Sequence, residues 1–279
     1  KLKTHKDIKG NPLDLVSSDS VQLARFPLEV FTGTPALDEE LNLGLYQSSG
    51  NTIELEPGAA PATVSLSYAT RTGGKFTKEF IFAPNSYKID IAMKFTDPAQ
   101  VGKSLSVAWG PGMGTNWGTL DQFEPEMISK TSEVKLIREP VKKIEGVLTH
   151  ENIQWAAINR KYFTTALFPG AKNNTLALNK IALPTQAGKK IEPIQQLFVG
   201  LTQPLVDGGC QLALYAGPKK RAELVAAYPG FEQLINYGWF WFIAEPLARF
   251  MNFLYEKMEG MAIPHFLKSY LAGRVCIST

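Results

Sequence analysis

The sequence is poor in the residues that build disulfide frameworks and metal sites. It has two cysteines, Cys210 and Cys276, and three histidines, His5, His150 and His265, far apart along 279 residues. Two cysteines cannot form a disulfide framework or a four-thiolate zinc site, and isolated histidines lack the spacing of metal ligands. The sequence therefore predicts no metal site and no cofactor.

The chain also lacks a long apolar run and a strong charge of either sign. The most apolar candidate, residues 231–255, is interrupted by Glu232, Asn236, Glu245 and Arg249, so we expect no membrane span there. A net charge of +3 predicts no nucleic-acid partner. The hydrophobic fraction of 44% is ordinary for globular proteins. The first residues are charged and include no initiator methionine, so we expect a piece of a longer protein.

Catalytic motifs are absent as well. Glycine-rich residues 110–118 have neither phosphate-loop spacing nor a following helix pattern, so a turn after a strand is the expected structure. Asp121, Glu124 and Glu126 could form an acid–base pair with His150, as sugar-processing enzymes require. Nothing in the sequence fixes their geometry, and a solvated acidic loop is the more common structure. We therefore predict no catalytic residue.

What the sequence does contain, from about residue 50 to 215, is alternation typical of strands. Residues 87–96 alternate without interruption. Residues 64–68 and 76–82 flank a turn at 71–75 and predict a hairpin. Shorter runs repeat the pattern at 105–109, 134–136, 176–178 and 210–214, with Cys210 pointing inward as a small core residue. Numerous strands without regular helices between them indicate antiparallel sheets packed face to face, so we predict a large β-sandwich.

Helical signals follow near the end of the chain. Pro218 begins a stretch of helix formers that Pro229 and Gly230 stop. A second helical stretch begins at Phe231 and is bent or restarted at Pro246. Its later apolar residues share one helix face, namely Leu247, Phe250, Met251, Leu254 and Met258.

Residues 237–243 are unusually aromatic. Their four consecutive aromatic side chains, Trp239, Phe240, Trp241 and Phe242, cannot all lie on one helix face. One explanation is a helix that seals the open end of the sandwich. Another is an interfacial segment, with indoles at headgroup depth and with Arg249 and Lys257 facing phosphates. Both can hold if the helix packs on the domain and touches the membrane.

Several of these stretches together resemble the large periplasmic domain of the YidC family of bacterial membrane-protein insertases. The matching stretches are, in order, 10–16, 155–163 with 166–169, 215–219 and 237–247. Their order and spacing agree with the family over about residues 1–259.

The resemblance implies a mainly β fold, an antiparallel β-supersandwich similar to galactose mutarotases with C-terminal α-helices. It implies a sandwich domain over 1–216 and a helical segment over 217–259 that ends in an interfacial amphipathic helix. Residues 260–279 are too polar for the membrane span that follows in the family, so we expect an artificially added or diverged tail. The implied location is the periplasmic face of the bacterial inner membrane, as the soluble domain of a multi-pass protein.

The resemblance also implies a non-enzymatic role as an insertase and chaperone. The expected partners are nascent inner-membrane proteins, the Sec translocon, its accessory SecDF complex, and lipid headgroups at the C-terminal helix. The site carried over from the family is the helix linked to the membrane, with Trp239, Phe240, Trp241, Pro246, Leu247, Arg249, Phe250, Phe253, Leu254 and Lys257.

Two alternatives remain open from the residues themselves. A carbohydrate- or peptide-binding module could use a cleft of the same sandwich without chemistry. A sugar mutarotase or epimerase would need an acid–base pair in that cleft, and a fold does not by itself supply a function.

Overall fold

The computed structural model describes most of the chain. The described residues are 2–6, 10–17, 19–50, 52–114, 126–133, 135–182, 195–236, 246, 247 and 250. Contacts between residues divide the chain into two compact units, Lys1–Phe231 and Glu232–Thr279. The predicted domain limits after residues 216 and 259 remain predictions.

Strands dominate the first unit. In chain order they are β1 (Leu2–Lys6), β2 (Pro12–Leu13), β3 (Glu29–Phe31), β4 (Gln47–Ser48), β5 (Ala62–Ala69), β6 (Lys75–Phe82), β7 (Lys88–Phe95), β8 (Ser104–Trp109), β9 (Glu126–Thr131), β10 (Leu136–Pro140), β11 (Leu148–Glu151), β12 (Ile153–Asn159), β13 (Phe163–Pro169), β14 (Thr175–Ala182), β15 (Gln195–Pro204) and β16 (Gly209–Pro218). The described α-helices are α1 (Asp19–Leu23), α2 (Pro35–Leu43) and α3 (Arg221–Ala227). Short 3-10 turns lie at Pro98–Gln100, Val141–Lys143 and Phe231–Leu234.

The strands form two large antiparallel sheets and one small one. The large sheet has nine strands in the order β10-β9-β12-β13-β16-β7-β6-β5-β4, and the second has five in the order β11-β14-β15-β8-β3. Strands β1 and β2 pair separately. Because neighbours in these sheets are often distant in sequence, long-range pairing rather than local turns sets the architecture.

The core lies between the two large sheets. Ile91, Met93 and Phe95 on β7 are buried, and so are Leu176 on β14 and Leu201 on β15. All belong to one hydrophobic cluster to which both sheets contribute. Two sheets that share one core are packed face to face, so the predicted mainly β sandwich with C-terminal helical structure is confirmed.

Local predictions hold where the pairing is local. Strands β5 and β6 form the predicted hairpin, in register from Ala62 with Phe82 to Ala69 with Lys75. Its turn is closed by the Thr70 N–H, which donates to the Gly74 carbonyl at 2.8 Å. Glycine-rich residues 110–114 form a loop that leaves β8, as expected.

The C-terminal helical predictions need two corrections. Helix α3 begins at Arg221 rather than at Pro218 because β16 still pairs with β13 as far as Pro218 opposite Phe163. The predicted α-helix from Phe231 begins instead as the 3-10 turn, in which the Ile235 N–H donates to the Glu232 carbonyl at 3.0 Å. Strand pairing in the first case and a tighter turn in the second override the helix propensity.

Candidate functional site

The predicted membrane-interface helix lies mostly outside the described residues. Pro246, Leu247 and Phe250 are helical, and the side chains of Leu247 and Phe250 are each 56% exposed. The other predicted site residues lie outside the described part, namely Trp239, Phe240, Trp241, Arg249, Phe253, Leu254 and Lys257. Residues 260–279 lie outside it too. The assignment of this helix therefore stays a prediction.

Upstream of that helix, five aromatic side chains form a cluster on the outer face of the large sheet. We call it the aromatic anchor, and its members are Trp155, Phe168, Tyr215, Tyr228 and Phe231. The fully buried Phe231 ring meets three of the other rings edge-on, with centroid distances of 5.0 Å to Trp155, 5.0 Å to Phe168 and 5.5 Å to Tyr215, while Tyr228 stacks on Phe168 at 5.3 Å. Edge-on contacts at this distance are favourable beyond the area they bury.

The three central strands position these rings by simple alternation. On β13 and β16, Leu167 and Leu214 point into the core, so Phe168 and Tyr215 point outward. The Tyr215 hydroxyl donates to the Pro218 carbonyl at 2.6 Å, and burial raises the pKa of Tyr215. The segment after β16 covers this outer face, so the central strands are buried on both sides.

Sequence reasoning missed the aromatic anchor, although a signal was present. The β13 residues are buried at almost every position from Phe163 to Phe168. In the sequence this stretch has no charged residue and no strict alternation of apolar and polar residues, a pattern that indicates a strand covered on both faces. That pattern predicts a segment that covers the outer face of the strand, and in the structure the segment with Phe231 covers it.

The acid–base pair considered for an enzyme does not form between Glu126 and His150. On β9, Met127 faces the core, so Glu126 points to the outer face. Its carboxylate accepts hydrogen bonds from the Arg138 guanidinium at 3.1 Å and from the Asn159 amide at 2.7 Å. A carboxylate held in this way is a structural group, and Asp121 and Glu124 lie outside the described residues.

His150 instead lies at the edge of the sandwich, next to the interior between the two sheets. It pairs with the buried Leu176 on β14, and its Nε2 lies 3.9 Å from a carboxylate oxygen of Glu139 on β10. Strands β10 and β11 are edge strands of the two sheets. The His150–Glu139 contact therefore joins the sheets at one side of the sandwich.

A cleft of about 570 Å³ opens on the outer face of the large sheet. Polar side chains contribute to its lining, among them Thr77, Glu79, Lys94, Gln203, Asp207 and Gln211. The Gln203 side chain fixes one wall of the cleft. Its Oε1 accepts a hydrogen bond from the Gly170 backbone N–H at 3.1 Å, and its Nε2 donates to the Gln211 backbone carbonyl at 2.8 Å. Burial raises the pKa of the Cys210 thiol, also in the lining, to about 11. This cysteine is buried in the core cluster, as predicted.

A half-buried lysine lies at the other end of the central strands. The Lys219 ammonium donates to the Arg160 carbonyl at 3.0 Å. Burial lowers the pKa of Lys219 to about 8, while the carboxylate of Glu126 acts in the opposite direction. The contact ties the segment after β16 to the turn between β12 and β13.

The described residues offer neither a metal site nor a membrane span. They contain no cluster of His, Cys, Asp and Glu side chains that could hold a metal ion. They also contain no helix with the length and apolar character needed to cross a bilayer.

Comparison with protein families decides the classification. The family model described as the YidC periplasmic domain matches residues 1–250 of this chain. The chain belongs to the YidC periplasmic domain family. The resemblance seen in the separate sequence stretches is thereby confirmed, and membership in the YidC family implies a periplasmic location at the membrane.

Solved structures similar to this YidC-family domain are parts of sugar-processing enzymes. A GH36 α-galactosidase from Geobacillus stearothermophilus is 11% identical and has a TM-score of 0.40, with 78% of this chain and 32% of that chain covered. An α-galactosidase from Lactobacillus brevis is 12% identical with a TM-score of 0.31, covering 68% and 28%. A heparan sulfate lyase from Pedobacter heparinus is 10% identical with a TM-score of 0.33, covering 68% and 28%. The chain thus spans about a third of each enzyme, and at these values the likeness says nothing about its activity.

Proposed function

We propose that this domain is a scaffold and partner-binding module of a membrane-protein insertase. It assists the insertion and folding of inner-membrane proteins, alone or with the Sec translocon. The observation that carries the proposal is the family match over residues 1–250. The domain acts as a chaperone at the periplasmic face of the inner membrane and binds nascent inner-membrane proteins.

The aromatic anchor supports a scaffolding role. It fixes Phe231 to the centre of the large sheet. Residues 237–257, which include the predicted membrane-interface residues, follow directly along the chain. Packing therefore fixes the point at which the chain leaves the sandwich.

Catalysis is not part of the proposal. The engagement of Glu126 by Arg138 and Asn159 favours a structural role for the one acidic candidate within the described residues. Polarimetry with aldoses tests this point. We expect mutarotation at the uncatalysed rate, and any acceleration that Glu126→Gln abolishes would support the enzyme alternative instead.

Binding to proteoliposomes tests the partners. The 279-residue chain is mixed with vesicles that contain the Sec translocon and SecDF, the translocon alone, or lipid alone, and bound protein is measured after flotation. We expect most binding where both complexes are present. Equal binding to all three kinds of vesicle would contradict the Sec-linked part of the proposal.

The same assay tests the membrane-interface helix. The double variant Trp239→Ala with Trp241→Ala removes two indoles, and we expect weaker flotation with lipid alone because indoles favour headgroup depth. A matched control replaces the sandwich residue Leu45, which is 94% exposed, by alanine. If the indole variant floated as well as the unaltered chain, the interface assignment would be wrong.

The cleft favours a second candidate function, the binding of a carbohydrate or an extended peptide. Its volume of about 570 Å³ and the polar side chains within its mixed lining suit a ligand of that size. Calorimetric titration with oligosaccharides and with extended peptides tests this candidate, with Glu79→Gln as the cleft variant. Absence of heat for both ligand classes would leave the cleft without a role.

A further inference from the structure

One end of the large sheet carries a row of basic side chains. We call it the basic rim, and its members are Lys142, Lys143, Arg160, Lys161, Lys220 and Arg221. They lie in three segments, which are the 3-10 turn after β10, the turn between β12 and β13, and the residues after β16.

The sheet topology brings these three segments to the same end. Strands β10, β9, β12, β13 and β16 are consecutive neighbours. Pro140 and Asn159 both pair with Glu126, and Phe163 pairs with Pro218. With strands about 4.8 Å apart, the five strand ends span about 20 Å. The backbone N–H of Lys219 donates to the Tyr162 carbonyl at 2.8 Å and joins two of the segments directly.

Few described carboxylates oppose this charge. Glu145 and Glu223 lie in the same segments, while the carboxylate of Glu126 is engaged by Arg138 at 3.1 Å. Positive charge from the rim also acts on its neighbour His5, whose ring lies 5.2 Å from that of Phe163. Burial and, secondly, Lys220 lower the pKa of His5.

The opposite end of the sandwich is electrically balanced by comparison. Charges of both signs share this end: the exposed cations Arg71, Lys103, Lys135 and Lys172 lie there with the exposed carboxylates Glu133, Glu151 and Asp207 and the half-buried Asp97. The polarity of the domain is therefore a property of one end, although the whole chain has a net charge of only +3.

An aromatic side chain lies within the rim. Tyr162 is 36% exposed, and the Lys161 Nζ lies 5.1 Å from the centre of its ring. A partly exposed tyrosine among cations matches the chemistry of a membrane interface, where the ring meets the headgroup region and the cations meet phosphates.

We propose that the basic rim docks on the anionic phospholipid headgroups of a bilayer and presents the sandwich to the membrane by this end. The proposal rests on the proposed function only in that both place the domain at a membrane. A wide row of cations fits a surface of many phosphates better than it fits one soluble phosphate. Each lysine near an anionic surface contributes roughly fivefold to membrane partitioning.

Vesicle flotation with matched charge variants tests the proposal. The rim variant combines Lys143→Gln, Lys161→Gln and Lys220→Gln, and the control combines Lys103→Gln, Lys135→Gln and Lys172→Gln at the opposite end. On vesicles containing phosphatidylglycerol, we expect the rim variant to bind roughly tenfold to a hundredfold more weakly than the unaltered chain. The control should bind within about threefold of the unaltered chain, since its lysines lie away from the surface. High salt should remove the difference between the two variants.

Further vesicle compositions and variants distinguish a failure of this proposal from a failure of the proposed function. On purely zwitterionic vesicles the rim variant should match the unaltered chain, whereas the Trp239→Ala with Trp241→Ala variant should be weaker on both kinds of vesicle. Equal losses in the rim variant and the control would show a net-charge effect and overturn the proposal. So would rim-dependent binding to DNA or soluble polyphosphate at the salt concentration where vesicle binding is absent. Thermal unfolding by circular dichroism verifies that both charge variants fold.

Discussion

Among the described residues, Lys78 is a charged side chain in an unusual place. It lies on β6 in the buried part of the sandwich, where its Nζ donates to the Leu28 carbonyl at 3.0 Å. The Nζ also lies 5.3 Å from the Tyr46 ring centre. Burial lowers the pKa of Lys78 to about 8, although the nearby Glu29 acts in the opposite direction. Folding therefore disfavours the charged form of this lysine.

The first prediction concerns the pH dependence of stability. Above pH 8 the folded Lys78 is neutral, while the unfolded lysine keeps its proton up to its ordinary pKa of 10.5. The unfolded state then binds more protons, so the free energy of unfolding should rise with pH from about 8 to 9. When urea unfolding is measured from pH 7 to 9, the free energy of unfolding should rise less with pH in the Lys78→Met variant than in the unaltered chain.

The window for that measurement has an upper limit. The pKa of Cys210 is raised from 9.0 to about 11, so above pH 9 the unfolded thiol loses its proton first and stability falls. Lys219, whose pKa is also lowered to about 8, contributes a parallel rise. The exposed Lys94 provides the control, because Lys94→Met should keep the full rise. If the free energy of unfolding rose equally with pH in the unaltered chain, Lys78→Met and Lys94→Met, Lys78 would keep its proton in the folded state and the prediction would be wrong.

At the scale of elements, the aromatic anchor is the best test of how the C-terminal segment is held. Phe231→Ala removes a fully buried ring from contact with Trp155 and Phe168. Truncating a buried phenylalanine costs about 3–5 kcal/mol of the free energy of unfolding. We expect a loss of that size in urea unfolding followed by circular dichroism.

The matched control for the anchor lies in the helix just before it. Val225 in α3 is 44% exposed, so Val225→Ala should change stability by less than about 0.5 kcal/mol. If Phe231→Ala cost no more than Val225→Ala, the cluster would not fix this segment to the sheet.

Elements set by neighbouring residues could be predicted from the sequence, and those set by distant pairing could not. The hairpin of β5 and β6 follows from alternation on both sides of a glycine turn. The order of the large sheet places β16 between β13 and β7, strands that are far apart in the chain. No local pattern encodes that neighbourhood, and for the same reason the true partner of His150 could not be predicted to be Glu139.

The candidate sites differ in the same way: one is visible in neighbouring residues, and the other depends on the pairing of distant strands. The aromatic residues 237–243 are conspicuous in the sequence, so the membrane-interface prediction could be made without a structure. The basic rim could not, because its residues are scattered over three segments that only the pairing of β9, β12, β13 and β16 brings to one end. In the sequence these lysines and arginines look like ordinary surface residues of a nearly neutral chain.

At the scale of the whole molecule, the division into Lys1–Phe231 and Glu232–Thr279 predicts where the chain can be cut. The sandwich core and the aromatic anchor both lie within the first unit. A chain of residues 1–236 should therefore fold without the remainder and unfold in one cooperative transition. Its urea midpoint, followed by circular dichroism, should equal that of the main transition of the full chain.

A shorter chain of residues 1–227 separates the sandwich from its anchor. It keeps every described strand and α3 but loses Tyr228 and Phe231, so the outer rings of Trp155, Phe168 and Tyr215 become exposed to water. Exposed apolar area of this kind lowers stability and promotes association. We expect a lower urea midpoint than for 1–236 and concentration-dependent aggregation in light scattering. Equal midpoints for the two chains would mean that the sheet is stable without its cover, and the anchor would then act only to position the segment that follows it.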